Sequence, residues 1–164
     1  MGQLTQNIIE VLKFKTDQEL IEENLWIAGD LLAKYRATSY YSGFSAVDSE
    51  TVSQEEFEEL KQALLNRLQS SKDPKIISVL IGEMSKSGDK AYKQIYFDNL
   101  QKSLELLKVH NGVVYQCLIA LDYLKEDVLE RDEKGGSSQS LIEVDKNIRQ
   151  AHNYLLKHNI IPHW

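Results

Sequence analysis

The stretch DPKIISVLIG, residues 73–82, and the stretch NGVVYQCLIA, residues 111–120, read as two copies of one helical pattern. Each opens with a residue suited to capping a helix and then sets an apolar pair, a further Val or Cys, Leu-Ile and a small residue at matched positions. Leu80 answers to Leu118, Ile81 to Ile119 and Gly82 to Ala120, an offset of 38 residues. The segments before them repeat at nearly the same distance, since Leu60, Leu64 and Leu68 answer to Tyr96, Leu100 and Leu104 at an offset of 36. Two helix pairs recurring at almost one period point to stacked α-hairpins.

Outward from these copies the same periodicity continues. Apolar residues recur at three- and four-residue spacings almost throughout, and the only prolines are Pro74 and Pro162, so the chain reads as all-α. Helices are expected near 4–14, 17–36, 54–70, 74–86, 90–109, 112–130 and 141–158. Thr16 with Glu19, Ser53 with Glu56 and Ser140 with Glu143 have the capping-box spacing, in which hydroxyl and carboxylate satisfy two backbone donors that no helical carbonyl reaches. Asp73 before Pro74 marks a fourth start, because proline at the first helical position lacks an amide hydrogen that would be unpaired anyway. Short connections make neighbouring helices antiparallel. Longer exposed loops are expected at 37–52 and at 131–140, and no shift of composition divides residues 1–164 into more than one domain.

On these residues the chain resembles a HEAT-type repeat protein. NGVVYQCLIALDYL is similar to the second helix of such a repeat, the likeness covers residues 53–130, and NLWIAGDLLAKY at 24–35 reads as a degenerate third copy. The resemblance implies antiparallel helical hairpins stacked as a short α-solenoid; a closed antiparallel bundle has much of the same pattern and stays open beside it.

The 164 residues can bury a core without metal or disulfide help, and the single cysteine, Cys117, excludes an intramolecular disulfide and fits a reducing compartment. Cys117 lies on an apolar helix face and is expected as a buried hydrophobe; Trp26 is likewise expected in the core, and Trp164 to pack back onto the body. No secretory signal, myristoylation pattern or membrane-length apolar run is present, so a cytoplasmic protein without membrane attachment is expected.

Catalytic templates fail in turn. In GEMSKSGDK, residues 82–90, Asp89 stands where a phosphate-binding loop needs lysine. There is no Gly-x-Ser-x-Gly elbow, and no Glu-x-x-His pair. His152 and His158 are six residues apart, off a common helix face, and are expected near a helix end whose dipole imidazolium complements. No catalytic residue, metal ligand or cofactor is expected. The net charge of −6 opposes nucleic-acid binding, although residues 61–110 hold nine Lys or Arg against five Asp or Glu. The alternative reading of a nucleic-acid surface would use Lys86, Lys90 and Lys93 with Tyr92 and Tyr96; an enzyme whose site gathers distant residues is a further alternative.

What remains is a recognition surface. Tyr35 and Arg36 end one helix, Tyr40, Tyr41 and Phe44 follow among Ser and Gly, and Asp48, Glu50, Glu55, Glu56, Glu58 and Glu59 come before the next base, Lys61. Tyrosine and arginine are favoured at recognition surfaces, and a carboxylate-rich face speeds the encounter with a cationic partner. The candidate partner-binding residues are therefore Tyr35, Arg36, Tyr40, Tyr41, Phe44, Asp48, Glu50, Glu55, Glu56 and Glu59. A weaker second acidic cluster comprises Asp122, Glu126, Asp127, Glu130, Asp132 and Glu133. A small, acidic, motif-free chain of this kind resembles, in character rather than in motif, bacterial immunity proteins that cover the active-site clefts of basic toxin nucleases. That resemblance implies a non-catalytic binding module with a basic protein partner, a toxin nuclease domain being the most concrete case.

Overall fold

The structure is a computed structural model and describes residues 3–36, 47, 50–106, 108–134 and 139–158. All the regular structure among these is helical: α1 Gln3–Phe14, α2 Gln18–Arg36, α3 Gln54–Ser70, α4 Pro74–Ser85, α5 Lys93–Leu104, α6 Asn111–Tyr123 and α7 Val144–Lys157, with a 3₁₀ turn Lys90–Tyr92 before α5. The chain gathers into two compact units, Met1–Gly88 and Asp89–Trp164. At the division Gly88 has φ 64°, a left-handed conformation that glycine adopts without the steric cost other residues bear.

In the first unit α1 packs on α2 and α3, α4 packs on α2 and α3, and α2 also meets α3. The reason lies in α2. Its first half buries a stripe, Ile21, Leu25 and Ala28, but from Ala28 to Ala33 six consecutive residues are buried, so this stretch needs cover on every side. Ala28, Gly29 and Ala33 keep that surface small. At Gly29 the space is taken by α4: a Cβ there would lie 1.6 Å from Glu83 Oε2 and 3.0 Å from Lys86 Cδ. Helix α3 starts as its sequence implies, Ser53 accepting the Glu56 amide at 3.1 Å while the Glu56 carboxylate accepts the Ser53 amide at 3.1 Å. Asp73 accepts the Lys75 amide at 3.0 Å and starts α4 with Pro74. Helix α2 begins differently from expectation: Asp17, not Thr16, receives the Leu20 amide at 3.1 Å.

In the second unit α6 packs on both α5 and α7, and α5 also meets α7. Leu60, Leu64 and Leu68 of α3 and Tyr96, Leu100 and Leu104 of α5 are all interior, and so are Leu80 and Leu118, whereas Ile81 is buried and its counterpart Ile119 only half-buried. Helix α6 ends at Tyr123, not 130. Lys125 turns into the left-handed region at φ 70°, its amide reaches Asp122 O at 2.9 Å and the Glu126 amide reaches Leu121 O at 3.0 Å. These are the two bonds of a Schellman ending, with lysine at the site glycine usually fills. Helix α7 begins at Val144 because Ser140 is occupied in a turn, accepting the Ile142 amide at 3.3 Å. Two buried amides of α7 then hold the connection from α6. Asn147 donates to Asn111 Oδ1 at 3.2 Å and Ser140 O at 3.1 Å, and Gln150 Oε1 accepts the Glu130 amide at 2.6 Å.

The Gly29 contact has a measurable consequence. Gly29→Ala is expected to destabilise the chain by ~1–3 kcal/mol through overpacking, and Glu83→Ala in the same chain should recover part of that loss by vacating the space; urea denaturation of the two single variants and the double reads the coupling.

Candidate partner-binding face

Four of the ten candidate residues, Tyr40, Tyr41, Phe44 and Asp48, lie outside the described residues. The other six fall into two groups with different surroundings.

Tyr35, near the end of α2, stacks on Phe57 of α3, ring centroids 4.3 Å apart at 20°. Phe57 is buried, while Tyr35 keeps 37% of its surface exposed. Lys61 Nζ stands 4.9 Å from the Phe57 ring centre, within cation–π range, and 3.0 Å from Glu58 Oε2. One ring pair thus joins the end of α2 to the first turn of α3. Arg36, the last residue of α2, is exposed.

Glu50 and Glu56 serve the fold. The Glu50 carboxylate accepts both the backbone N–H of Thr5 and its hydroxyl, the latter at 2.7 Å, and so caps the first turn of α1 with a negative charge that its dipole favours. Lys34 Nζ donates to the Val47 and Glu50 carbonyls, the former at 2.6 Å, tying this strand of loop to α2. Glu56, 0% exposed, completes the α3 capping box and accepts Gln6 Nε2 at 2.8 Å. Glu56 is therefore interior, not part of an exposed acidic face, because reaching back to the Ser53 amide turns it under the helix start.

Glu55 and Glu59, with Glu58, remain outside. Gln54, Glu55, Glu58, Glu59 and Gln62 line one open face of α3, as positions three and four apart on a helix must. Glu59 pairs with Lys13 at 3.2 Å and Glu58 with Lys61; among the described residues Glu55 has no ion-pair partner. Acidic groups at the N-terminal end of a helix are favoured by its dipole, so this stripe costs the fold little.

Four of the six carboxylates of the second acidic cluster are ion-paired within their own unit. Arg131 meets Asp122 at 2.8 Å, Arg149 clasps Glu130 through two bonds of 2.6 and 2.9 Å, and Lys157 meets Asp127 at 3.1 Å. Glu126 accepts the Tyr154 phenol at 2.8 Å and lies 3.3 Å from Lys93. Burial pulls the Glu126 carboxyl up, but the bonds from Tyr154 and Lys93 together hold it below the usual carboxylate range.

No protein-family model, curated protein or solved structure matches the chain.

The remaining sequence candidates resolve as follows. Tyr92 is buried and Tyr96 is 1% exposed, so neither ring can stack on a base; Lys86 pairs with Glu83 and Asp30, and Lys93 with Glu126. Cys117 is buried, and burial pushes its thiol well above the ordinary range, which keeps it protonated. His158 ends α7, its Nδ1 3.0 Å from Tyr154 O, and its ring stands 5.6 Å from Phe97. Among the described residues no group of His, Cys, Asp and Glu is placed to hold a metal ion, and no helix is long and apolar enough to cross a membrane. Trp26, expected in the core, is 61% exposed. The buried stripe of α2 runs Ile21, Leu25, Ala28, Leu32; Trp26 falls off that spacing and shares the outward side with Glu19 and Glu23. Spacing within LWIA, rather than its apolar composition, carried that signal.

Removing a carboxylate should therefore separate the two groups. Glu56→Ala is expected to lower stability by about 2 kcal/mol, as a lost cap and an unpaired buried partner, whereas Glu55→Ala should stay within about 0.5 kcal/mol of the parent; chemical denaturation of both variants checks this.

Proposed function

We propose that the chain is a non-catalytic protein–protein binding module that receives a basic protein partner on the carboxylate stripe of α3. The observation that carries this reading is the stripe itself: Glu55, Glu58 and Glu59 lie on one open face with Gln54 and Gln62, while the other described carboxylates of the 35–60 stretch are committed to caps. Tyr35, half presented on Phe57, is an aromatic contact held rigid by stacking, which lowers the entropy lost on binding. The scaffold behind it is a HEAT-like stack. In the first unit α1 pairs with α3 and α2 with α4, as two stacked hairpins would, where an up-and-down bundle would close α1 against α4. A basic toxin nuclease domain is the most concrete partner, its cationic substrate cleft covered by the stripe as an immunity protein would cover it, and the protein works in the cytoplasm.

Charge reversal tests the face. Glu55→Lys and Glu59→Lys together break only the partly exposed Lys13–Glu59 pair, worth about 1 kcal/mol or less, so the melting temperature should stay close to that of the parent. A partner captured with the unaltered chain should be basic, and its association rate with the variant should fall at least about tenfold at low salt, with the difference shrinking as salt rises. Equal association rates for the two chains would place the interface elsewhere.

A further inference from the structure

Asp30 of α2 and Glu83 and Lys86 of α4 bring three charged side chains into the interior of the first unit. Lys86 Nζ lies 2.9 Å from Glu83 Oε2 and 3.4 Å from Asp30 Oδ1. Asp30 and Glu83 are buried, and the Lys86 side chain keeps 17% of its surface. Two carboxylates against one ammonium leave a net negative charge where desolvation makes charge expensive.

The repeat read from the sequence sets a leucine against this carboxylate. At the offset of 38 that aligns Leu80 with Leu118, position 83 answers to Leu121, which is fully buried in the second unit. A site that packs as leucine in one copy holds glutamate in the other, and it does so opposite a glycine, whose missing Cβ is the space that Glu83 Oε2 fills.

We propose that Asp30, Glu83 and Lys86 form a proton-operated clasp between α2 and α4. Glu83 takes its proton from water and returns it to water. With the proton on, one Asp30–Lys86 pair remains, the buried set is neutral, and the carboxyl packs against Gly29. With the proton off, the set carries one negative charge and the contact loosens. Burial pushes the Glu83 carboxyl up to about 7, against the opposing pull of Lys86, and Asp30 adds to the rise. Among the charged groups of the surrounding elements, Lys34 of α2 donates to the Val47 and Glu50 carbonyls, Glu56 of α3 accepts in its cap, Lys61 pairs with Glu58, and Arg67 donates to a carbonyl near the end of α1.

The sign follows from linkage. A carboxyl raised from 4.5 to about 7 keeps its proton in the folded chain across that interval while the unfolded chain releases it. The stability it contributes is complete below the lower value and is lost as pH rises through the upper one. The clasp is therefore tighter in mildly acidic than in mildly alkaline solution.

Two measurements on the full chain test it. Carbon-13 NMR of the Glu83 carboxyl, assigned through its own side chain in the unaltered protein, should show titration near neutral pH; titration in the ordinary carboxylate range would overturn the proposal. Urea unfolding of the parent and of Glu83→Gln should give folding constants whose ratio changes by about tenfold per pH unit between pH 5 and 7 and levels off above pH 8. A ratio independent of pH would also overturn it, and the NMR titration decides the matter without any variant that must fold.

Discussion

The first unit depends on one constraint: from residue 28 to residue 33 helix α2 presents no face to water. Six consecutive buried residues from Ala28 to Ala33 cannot be covered by a single neighbour, because a helix distributes successive side chains around its whole circumference. Helices α1, α3 and α4 all pack against α2 for that reason, and the small residues Ala28, Gly29 and Ala33 let them come close. The positions of Tyr35 and of the α3 stripe follow from this. Phe57 is drawn under the end of α2, and the carboxylates three and four residues along from the buried stripe of α3 are left facing out.

The polar residues of the 35–60 stretch show how an acidic segment divides between structure and surface. Glu50 and Glu56 each point at backbone amides that no helical carbonyl can reach, one at the start of α1 and one at the start of α3. Such bonds to charged acceptors are among the stronger ones a fold can make. Sequence position does not tell these two from Glu55 and Glu59, since all four stand in the same acidic run. The capping-box spacing identifies Glu56 as structural, whereas Glu50 reaches Thr5 across 45 residues and no local pattern announces it.

The same division runs through what could be read before the structure. The all-α class, the seven helices named among the described residues and the starts at Ser53 and Asp73 are legible because they rest on local periodicity and local capping chemistry. The helix ends were read less well: α6 stops seven residues early through a left-handed lysine, a conformation for which residue type is a poor guide, and α7 starts late because Ser140 is spent in a turn. Apolar composition sets Trp26 in the core, whereas its angle around α2 turns it outward. The buried ion set at Asp30, Glu83 and Lys86 was invisible because its members are brought together only by the packing of α2 on α4.

Charge balance distinguishes the two units more sharply than helix content does. In the second unit the acidic run from Asp122 onward is met by Lys93, Arg131, Arg149 and Lys157, so its carboxylates hold the segment after α6 against α5 and α7. In the first unit Arg67 and Lys34 donate to backbone carbonyls and Lys86 pairs with Asp30 and Glu83, while Lys13 and Lys61 pair with Glu59 and Glu58 of α3. On the open face of α3 Glu55 has no ion-pair partner among the described residues, and its charge faces solvent. A fold that needs its acids internally gives a mutation there a stability cost; a fold that leaves them over can lend them to a cationic surface. The exposed, partly unpaired stripe of α3 therefore carries less of the fold than the paired carboxylates of the second unit do.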